Sequence, residues 1–297
     1  MRVAVVGEPA GWHVARLTRR LTDLGHRAAA IRWATLGGGV DAAGERFTPP
    51  DLDAADAVVV RGMPGGGAGD RLEPVVFRMD ALARLEARGT PVINSPRALE
   101  AAIDKYLSAA RLAAAGLPVP RCRTAQGIEA ATQAWEELGG DCVVKPIFGS
   151  QGRGLVRVRC RADLLATRAA GDDPGVFLLQ EFVSHPGWDV RVLVVGDRTF
   201  TMRRRAPAGD WRTNVAVGGT PTAFTPPLAW IDLAVRAARC LATDVAGVDL
   251  LPAADGRILV LEVNGVPGWR ALEAATGCDV TAAVAAHVLE AAQAAGT

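Results

Sequence analysis

The chain has one Tyr among its 297 residues, and aromatics make up only 5% of it. That scarcity is a compositional bias and assigns no chemistry. No stretch of about 20 apolar residues is free of charge, so nothing is expected to span a membrane. Five Cys (Cys122, Cys142, Cys160, Cys240, Cys278) and four His (His13, His26, His185, His287) are scattered, with no CxxC spacing. This excludes a zinc site or disulfide framework of the usual spacing. A net charge of +1 gives no support to a nucleic-acid or membrane-surface partner. The first strand runs into GEPAGWH, which lacks the GxGxxG of a dinucleotide site. The Gly-rich run PGGGAGD (64–70) lacks the Lys-Ser/Thr of a P-loop and reads as a connection. The N-terminus lacks the basic region and longer apolar core of a secretory leader, so a cytoplasmic protein is expected.

Apolar residues make up 49% of the chain, enough for a sizeable core, and the length suits about two domains. RVAVVG, HRAAAIRW, DAVVVRG and PVIN read as strands, separated by helices ending at Gly25 and Gly89. This β-α-β order predicts an α/β unit with a small parallel sheet over 1–95. Residues 37–51 read as a loop. Ser95-Pro96 opens one helix that should run to Gly116. From residue 120 strands dominate, with helices expected near 127–138, 161–170, 227–243 and 279–295.

GVDLL (247–251) and LVLEVN (259–264) are apolar runs that each carry an acid. Alternation puts Leu259, Leu261 and Val263 on one face and Glu262 with Asn264 on the other. Asp255-Gly256 between the runs is a hairpin signal. Centred on that pair and without a bulge, the hairpin sets Asp249 directly opposite Glu262. Opposed like charges are destabilising in a sheet, so something positive should sit between them. Two carboxylates and an amide oxygen suit Mg²⁺, or Mn²⁺, better than zinc.

Three other stretches could take phosphate or a nucleotide. CVVKPIFGSQGRGLVRV (142–158) delivers Lys145 from a strand into a loop bearing Gly149, Gly152 and Gly154. In FLLQEFVSHPGWDVRV (177–192), QEFV offers an extended backbone and an apolar slot for a purine, and Asp189 shares a face with Arg191. MRRRAPAGDWRTNVAVGG (202–219) collects Arg203, Arg204, Arg205, Arg212 and Asn214 in what reads as a basic loop suited to an anion.

In the order VVKP, Gly-rich loop, QEFV, DVR, RTN with GG, GVDLL and LEVN, the chain resembles the ATP-grasp superfamily. Within it, the chain is most similar to the RimK-like ATP-dependent glutamate ligases. The resemblance runs from about Asn94 and covers roughly two-thirds of the chain. It implies an ATP-grasp fold (α/β, α+β) over 96–297, with a pre-grasp domain at 1–95. It implies that Lys105 and Lys145 contact the nucleotide phosphates, under a lid that includes Ser150, Gln151 and Gly152. Gln180, Glu181, Phe182 and Val183 would hold adenine, Asp189 the ribose, and Arg204 the nucleotide. Arg191, Arg212 and Asn214 would serve the reacting groups, and Asp249, Glu262 and Asn264 two Mg²⁺ ions.

The implied reaction joins a carboxylate to an amine through an acyl phosphate. The expected amine is glutamate, and the acceptor a tetrahydromethanopterin-like cofactor or a peptide carboxylate. A homo-oligomer is a further implication. A kinase-like phosphotransferase and a non-catalytic nucleotide-binding regulator are the alternatives on this scaffold. NGVPGWRALE departs from members that modify a ribosomal protein. There Trp269 could stack on a flat acceptor and Arg270 hold its carboxylate, or Trp269 could pack the turn.

Overall fold

The computed structural model describes residues 1–65, 71–149, 152–169 and 175–296. The chain begins with β1 (Arg2–Val6), α1 (Trp12–Asp23), β2 (Arg27–Ile31), β3 (Gly37–Asp41), β4 (Gly44–Thr48) and α2 (Pro50–Asp53). It continues with β5 (Ala57–Val60), α3 (Leu72–Ala87), β6 (Val92–Ile93) and α4 (Pro96–Ile103). The expected parallel sheet forms in the order β2-β1-β5-β6. Residues 37–51, read as a loop, instead hold the β3–β4 hairpin and the start of α2. Three successive glycines in β3 hid that strand from a reading based on side-chain alternation.

Next come α5 (Lys105–Ala114), β7 (Cys122–Gln126), α6 (Ile128–Glu137), β8 (Cys142–Lys145), β9 (Val156–Val158), α7 (Arg161–Ala169) and β10 (Val176–Glu181). The strands form an antiparallel sheet, β7-β10-β8-β9, whose core is closed by α6 and α7. The chain ends with β11 (Trp188–Val195), β12 (Arg198–Arg205), β13 (Thr220–Ala223), α8 (Leu228–Cys240), β14 (Val245–Pro252), β15 (Ile258–Asn264), α9 (Arg270–Thr276) and α10 (Val280–Ala295). Its five strands form the antiparallel sheet β13-β12-β11-β14-β15.

The single helix expected over 96–115 is two. Asp104 leaves the helical region (ψ 105°) and its carboxylate accepts from the Leu107 N–H, which caps a new helix. The break sets Lys105 at the first position of α5. Leu99 of α4 packs into the core of the parallel sheet, while Ala101 and Ala102 pack under the large sheet. α10 inserts Val280, Val284 and Val288 between the parallel sheet and the large one. Asn94, just after β6, adds a polar tie. Its Nδ2 donates to Val245 O (2.8 Å) and Gly265 O (2.5 Å). Its Oδ1 accepts from the N–H groups of Asp244 (2.6 Å) and Val245 (2.9 Å). Among the described residues, no helix is long and apolar enough to cross a membrane.

Candidate active site

A cleft lies between the small antiparallel sheet and one face of the large one. Alternation along β11 sends Val190, Val192 and Val194 into the core under α8 and leaves Asp189 and Arg191 on the other face. The ladders set Arg204 beside Asp189 and Asp249 beside Arg191. These four side chains form one buried network. Arg204 donates from Nε to Asp189 Oδ1 at 2.8 Å and from Nη2 to Asp189 Oδ2, and Nη2 also lies 2.9 Å from Asp249 Oδ2. Arg191 forks onto Asp249, Nε to Oδ1 and Nη2 to Oδ2, the latter at 2.8 Å. Thr213 Oγ1 donates to Asp189 Oδ2 at 2.6 Å. Burial opposes the Asp249 charge, but Arg191 and Arg204 outweigh it and hold the carboxyl below the usual range. Burial likewise opposes the Arg204 charge, and Asp249 and Asp189 outweigh it.

Two expected site residues have partners within the protein. Asp189 accepts two hydrogen bonds from Arg204 and one from Thr213, so it positions Arg204, and it lines the cleft. Arg191 is spent on Asp249 and is not among the cleft-lining residues. The three-arginine run also splits. Residues 202–205 are β12, not loop. Arg204 faces the cleft, while Arg203 lies over the Trp188 and Phe224 rings on the opposite face, 5.7 and 5.5 Å from their centroids.

Asp249 does face Glu262, though not by the expected hairpin. Next to the turn, Pro252 pairs with Ile258 and Leu250 with Val260; continued, that register would set Asp249 against Leu261. A bulge between Asp249 and Leu250 makes up the extra residue and restores the acid pair. It also turns Leu261 into the cleft beside Glu262, against the expected alternation.

The positive charge between the acids comes from Arg191 and Arg204 on Asp249 and from two lysines near Glu262. Lys105 Nζ donates to Gly149 O at 2.6 Å. Burial lowers its pKa, against the pull of Glu262 and Asp104. Burial pushes Lys145 down to about 8, against the pull of Glu262. Whether these residues suit a divalent ion follows from the oxygens left over. A carboxylate offers about four acceptor sites, and Asp249 has three hydrogen bonds to guanidinium groups. Asn264 Oδ1 accepts once, from the Val266 N–H at 2.9 Å. The Glu262 carboxylate makes no hydrogen bond among the described residues. All three keep hard oxygen capacity, which fits Mg²⁺. Asn264 does not line the cleft itself; it stands at its edge, two pairs beyond Asp249–Glu262.

Gly149, Gly152 and Arg153 of the Gly-rich stretch line the cleft. An added Cβ at Gly152, whose φ is +73°, would sit 2.6 Å from Asn214 Oδ1. Gly152→Ala combines that clash with a left-handed conformation costing about 1–2 kcal/mol for a side-chain-bearing residue. ATP turnover should fall on the order of tenfold, with the melting temperature nearly unchanged. Unaltered turnover would show that this contact does not matter to the working enzyme. Ser150 and Gln151 lie outside the described residues.

The other end of the cleft is lined by residues 180–183, at and just after the end of β10. The Glu181 N–H donates to Arg121 O (2.9 Å) and the Phe182 N–H to Asp141 O (3.0 Å). The Val183 N–H makes no hydrogen bond among the described residues and is free for a ligand. The Glu181 carboxylate is held by Arg121 at 2.6 Å, and the Phe182 ring meets Trp211 edge-on at 5.8 Å. Gln180 lines the floor. Arg212 is forked onto Asp210 (3.1 and 2.7 Å), so its charge is locally compensated. Arg153, Trp211 and His185 also line the cleft and were not expected there. Arg153 belongs to the Gly-rich loop and Trp211 precedes Arg212, so proximity to the motifs was the signal available.

Trp269 is fully buried. Its Nε1 donates to Thr281 Oγ1 at 3.0 Å and its ring packs against His13. It packs the turn and cannot stack on an acceptor, which corrects that expectation.

A RimK-like ATP-grasp domain model matches residues 102–288. The chain is 33% identical, over 255 residues, to the tetrahydromethanopterin:α-L-glutamate ligase of Methanosarcina acetivorans, covering 76% of this chain and 77% of that one. It is 42% identical over 149 residues to a probable α-L-glutamate ligase of Stenotrophomonas maltophilia, spanning 49% of this chain and about half (51%) of the relative. Among solved structures, the ATP-grasp ligase PsnB complexed with a minimal precursor superposes with a TM-score of 0.76 and 28% identity, covering 98% of this chain and 99% of that one. PsnB with minimal precursor, Mg and ADP gives 0.75 and 26%, covering 98% and 97%. A RimK domain ATP-grasp protein from Sphaerobacter thermophilus gives 0.75 and 25%, covering 97% and 100%. The chain belongs to the RimK-like ATP-grasp family and is, by class, an ADP-forming carboxylate–amine ligase. ATP and Mg²⁺ go with that fold.

Proposed function

We propose that the chain is an α-L-glutamate ligase that extends a carboxylate acceptor by an amide bond. The observation that carries this reading is one cleft that gathers Lys105, Lys145, Arg204, Asn214, Asp249 and Glu262 from separate elements. Support for glutamate as the amine comes from relatives that bear the name glutamate ligase.

Adenine lies in the slot walled by Val143, Leu155, Leu251 and Leu261, with its edge on the Val183 N–H. Lys105 and Lys145 neutralise the phosphates, which favours the charged form of both amines that burial disfavours. Asp189 keeps Arg204 aimed at the nucleotide. The acceptor carboxylate attacks the γ-phosphorus and the bond to the β-phosphate oxygen breaks, giving an acyl phosphate and ADP. The glutamate amine then attacks the acyl carbon; the C–O bond breaks and phosphate leaves. Asp249, Glu262 and Asn264 would hold the divalent ions, Mg²⁺ or Mn²⁺, which supply charge neutralisation on the phosphates when bound. Arg212, released from Asp210, and Asn214 orient the reacting groups. The loop over 149–154 keeps water from the acyl phosphate.

The relatives favour a tetrahydromethanopterin-like acceptor, and the precursor-bound PsnB structures favour a peptide carboxylate. The test incubates the protein with ATP, Mg²⁺, glutamate and each acceptor class, following ADP release and product mass. ADP release that needs both acceptor and glutamate, with a product heavier by one glutamyl unit, is the expected result. A phosphorylated acceptor with no amine consumed would replace this reading with the phosphotransferase one.

A further inference from the structure

The carboxyl ends of β1 and β5 open beside the turn that follows Asn264. Arg61, the first residue after β5, donates from Nη2 to Pro267 O at 2.5 Å and lies 4.3 Å from the centre of the Trp269 ring. Its Nε is shut off from solvent without a hydrogen-bond partner. No carboxylate pairs with it among the described residues, and burial pushes its pKa down to about 9. Arg270, at the head of α9, is exposed, makes no ion pair among the described residues, and lies 6.0 Å from the Trp12 ring.

His13 sits between the two. Its Nε2 accepts from the Trp269 N–H at 2.9 Å, and burial, Arg61 and Arg270 hold its pKa near 4, so it adds no third charge at neutral pH. The N-terminus of α1 faces the same space with no capping side chain and no acid in its first turn. The acid on the β1–α1 connection, Glu8, is taken by Arg32 at 3.4 Å. This nook meets the edge of the cleft where Asn264 stands: Gly247 pairs with Asn264, and a Cβ at Gly247 would lie 3.0 Å from Pro267 Cβ.

A desolvated guanidinium with no counter-charge is costly, and here the Pro267 carbonyl and the Trp269 ring offset it only in part. We propose that Arg61 and Arg270 bind a second negative group on the acceptor, so the preferred acceptor is a dicarboxylate and not a monocarboxylate. The proposal rests on the ligase reading of the adjoining cleft. Arg61 is the main determinant, because its pairing is the more desolvated; the exposed Arg270 contributes less.

The probes are N-acetyl-L-glutamate and 4-acetamidobutyrate, the same skeleton lacking one carboxylate. Binding is measured by calorimetry on the full chain with Mg²⁺ and a non-hydrolysable ATP analogue. Wild type should prefer the dicarboxylate by on the order of tenfold, about one charge-assisted hydrogen-bonded pair. Arg61→Gln should lose the preference, Arg61→Lys should keep part of it, and Arg270→Gln should weaken it. Unchanged affinity for the nucleotide analogue reports that each variant is folded. The proposal is overturned if wild type shows no preference, or if folded Arg61→Gln keeps all of it. Should Arg61→Gln fail to fold, full preference in Arg270→Gln overturns it. Glutamate incorporation is measured separately. Preference without incorporation keeps the nook and sinks the ligase reading, whereas incorporation without preference does the reverse.

Discussion

Glu262→Gln is expected to lower turnover by on the order of 10³-fold while changing stability by no more than about 1 kcal/mol. The two halves of that expectation have separate causes. The Glu262 carboxylate makes no hydrogen bond among the described residues, and the residue stands opposite Asp249 in the ladder. Replacing it by the isosteric amide removes a like-charge opposition, which a sheet resists. What the amide cannot supply is the charge that would hold a divalent ion beside the phosphates. Steady-state ADP release and a thermal melt, run on the same preparation, separate the two. Normal turnover in the variant would remove Glu262 from the metal assignment. A large loss of stability would mean that its carboxylate serves the fold through Lys105 and Lys145.

Arg204→Met should cost about 3–5 kcal/mol of stability, because it leaves Asp189 and Asp249 with less charge than their burial requires. Both carboxylates are buried, and Arg204 is the residue that touches both. For a chain of this size the melting temperature should drop on the order of 10 °C. Arg204→Lys should fall in between, since an ammonium keeps the charge but cannot fork. A melt of Arg204→Met close to that of wild type would show that Arg191 and Thr213 suffice to hold the two acids.

Much of the site was legible along the chain. Lys145 ends an apolar strand before a glycine-rich loop, and the spacing of that unit is local. The face shared by Asp189 and Arg191 followed from a period of two, which holds wherever a strand forms. Which cation meets which acid was not legible. Asp189 and Arg191 share a face but bond across the ladder, to Arg204 and Asp249 respectively, and ladder partners lie far apart in sequence. Arg203, Arg204 and Arg205 are alike as letters; only the strand they occupy sends Arg204 alone of the first two to the cleft. The Asp249–Glu262 pair was foreseen from a hairpin with no bulge. It exists because a bulge compensates for a different turn register, and no local residue preference announces it.

The order and identity of the chemical groups, the periodicity that assigns their faces, and membership of the family were therefore decided by the sequence itself. Tertiary structure alone decided that Trp269 is core, that Asp189 is a support for Arg204, that Lys105 heads a second helix close to Gly149, and that Arg61 has no carboxylate partner among the described residues. Each of these depends on which surfaces meet between elements distant in the chain. Burial then sets the cost of every charge they carry, and so determines which are satisfied within the protein and which await a ligand.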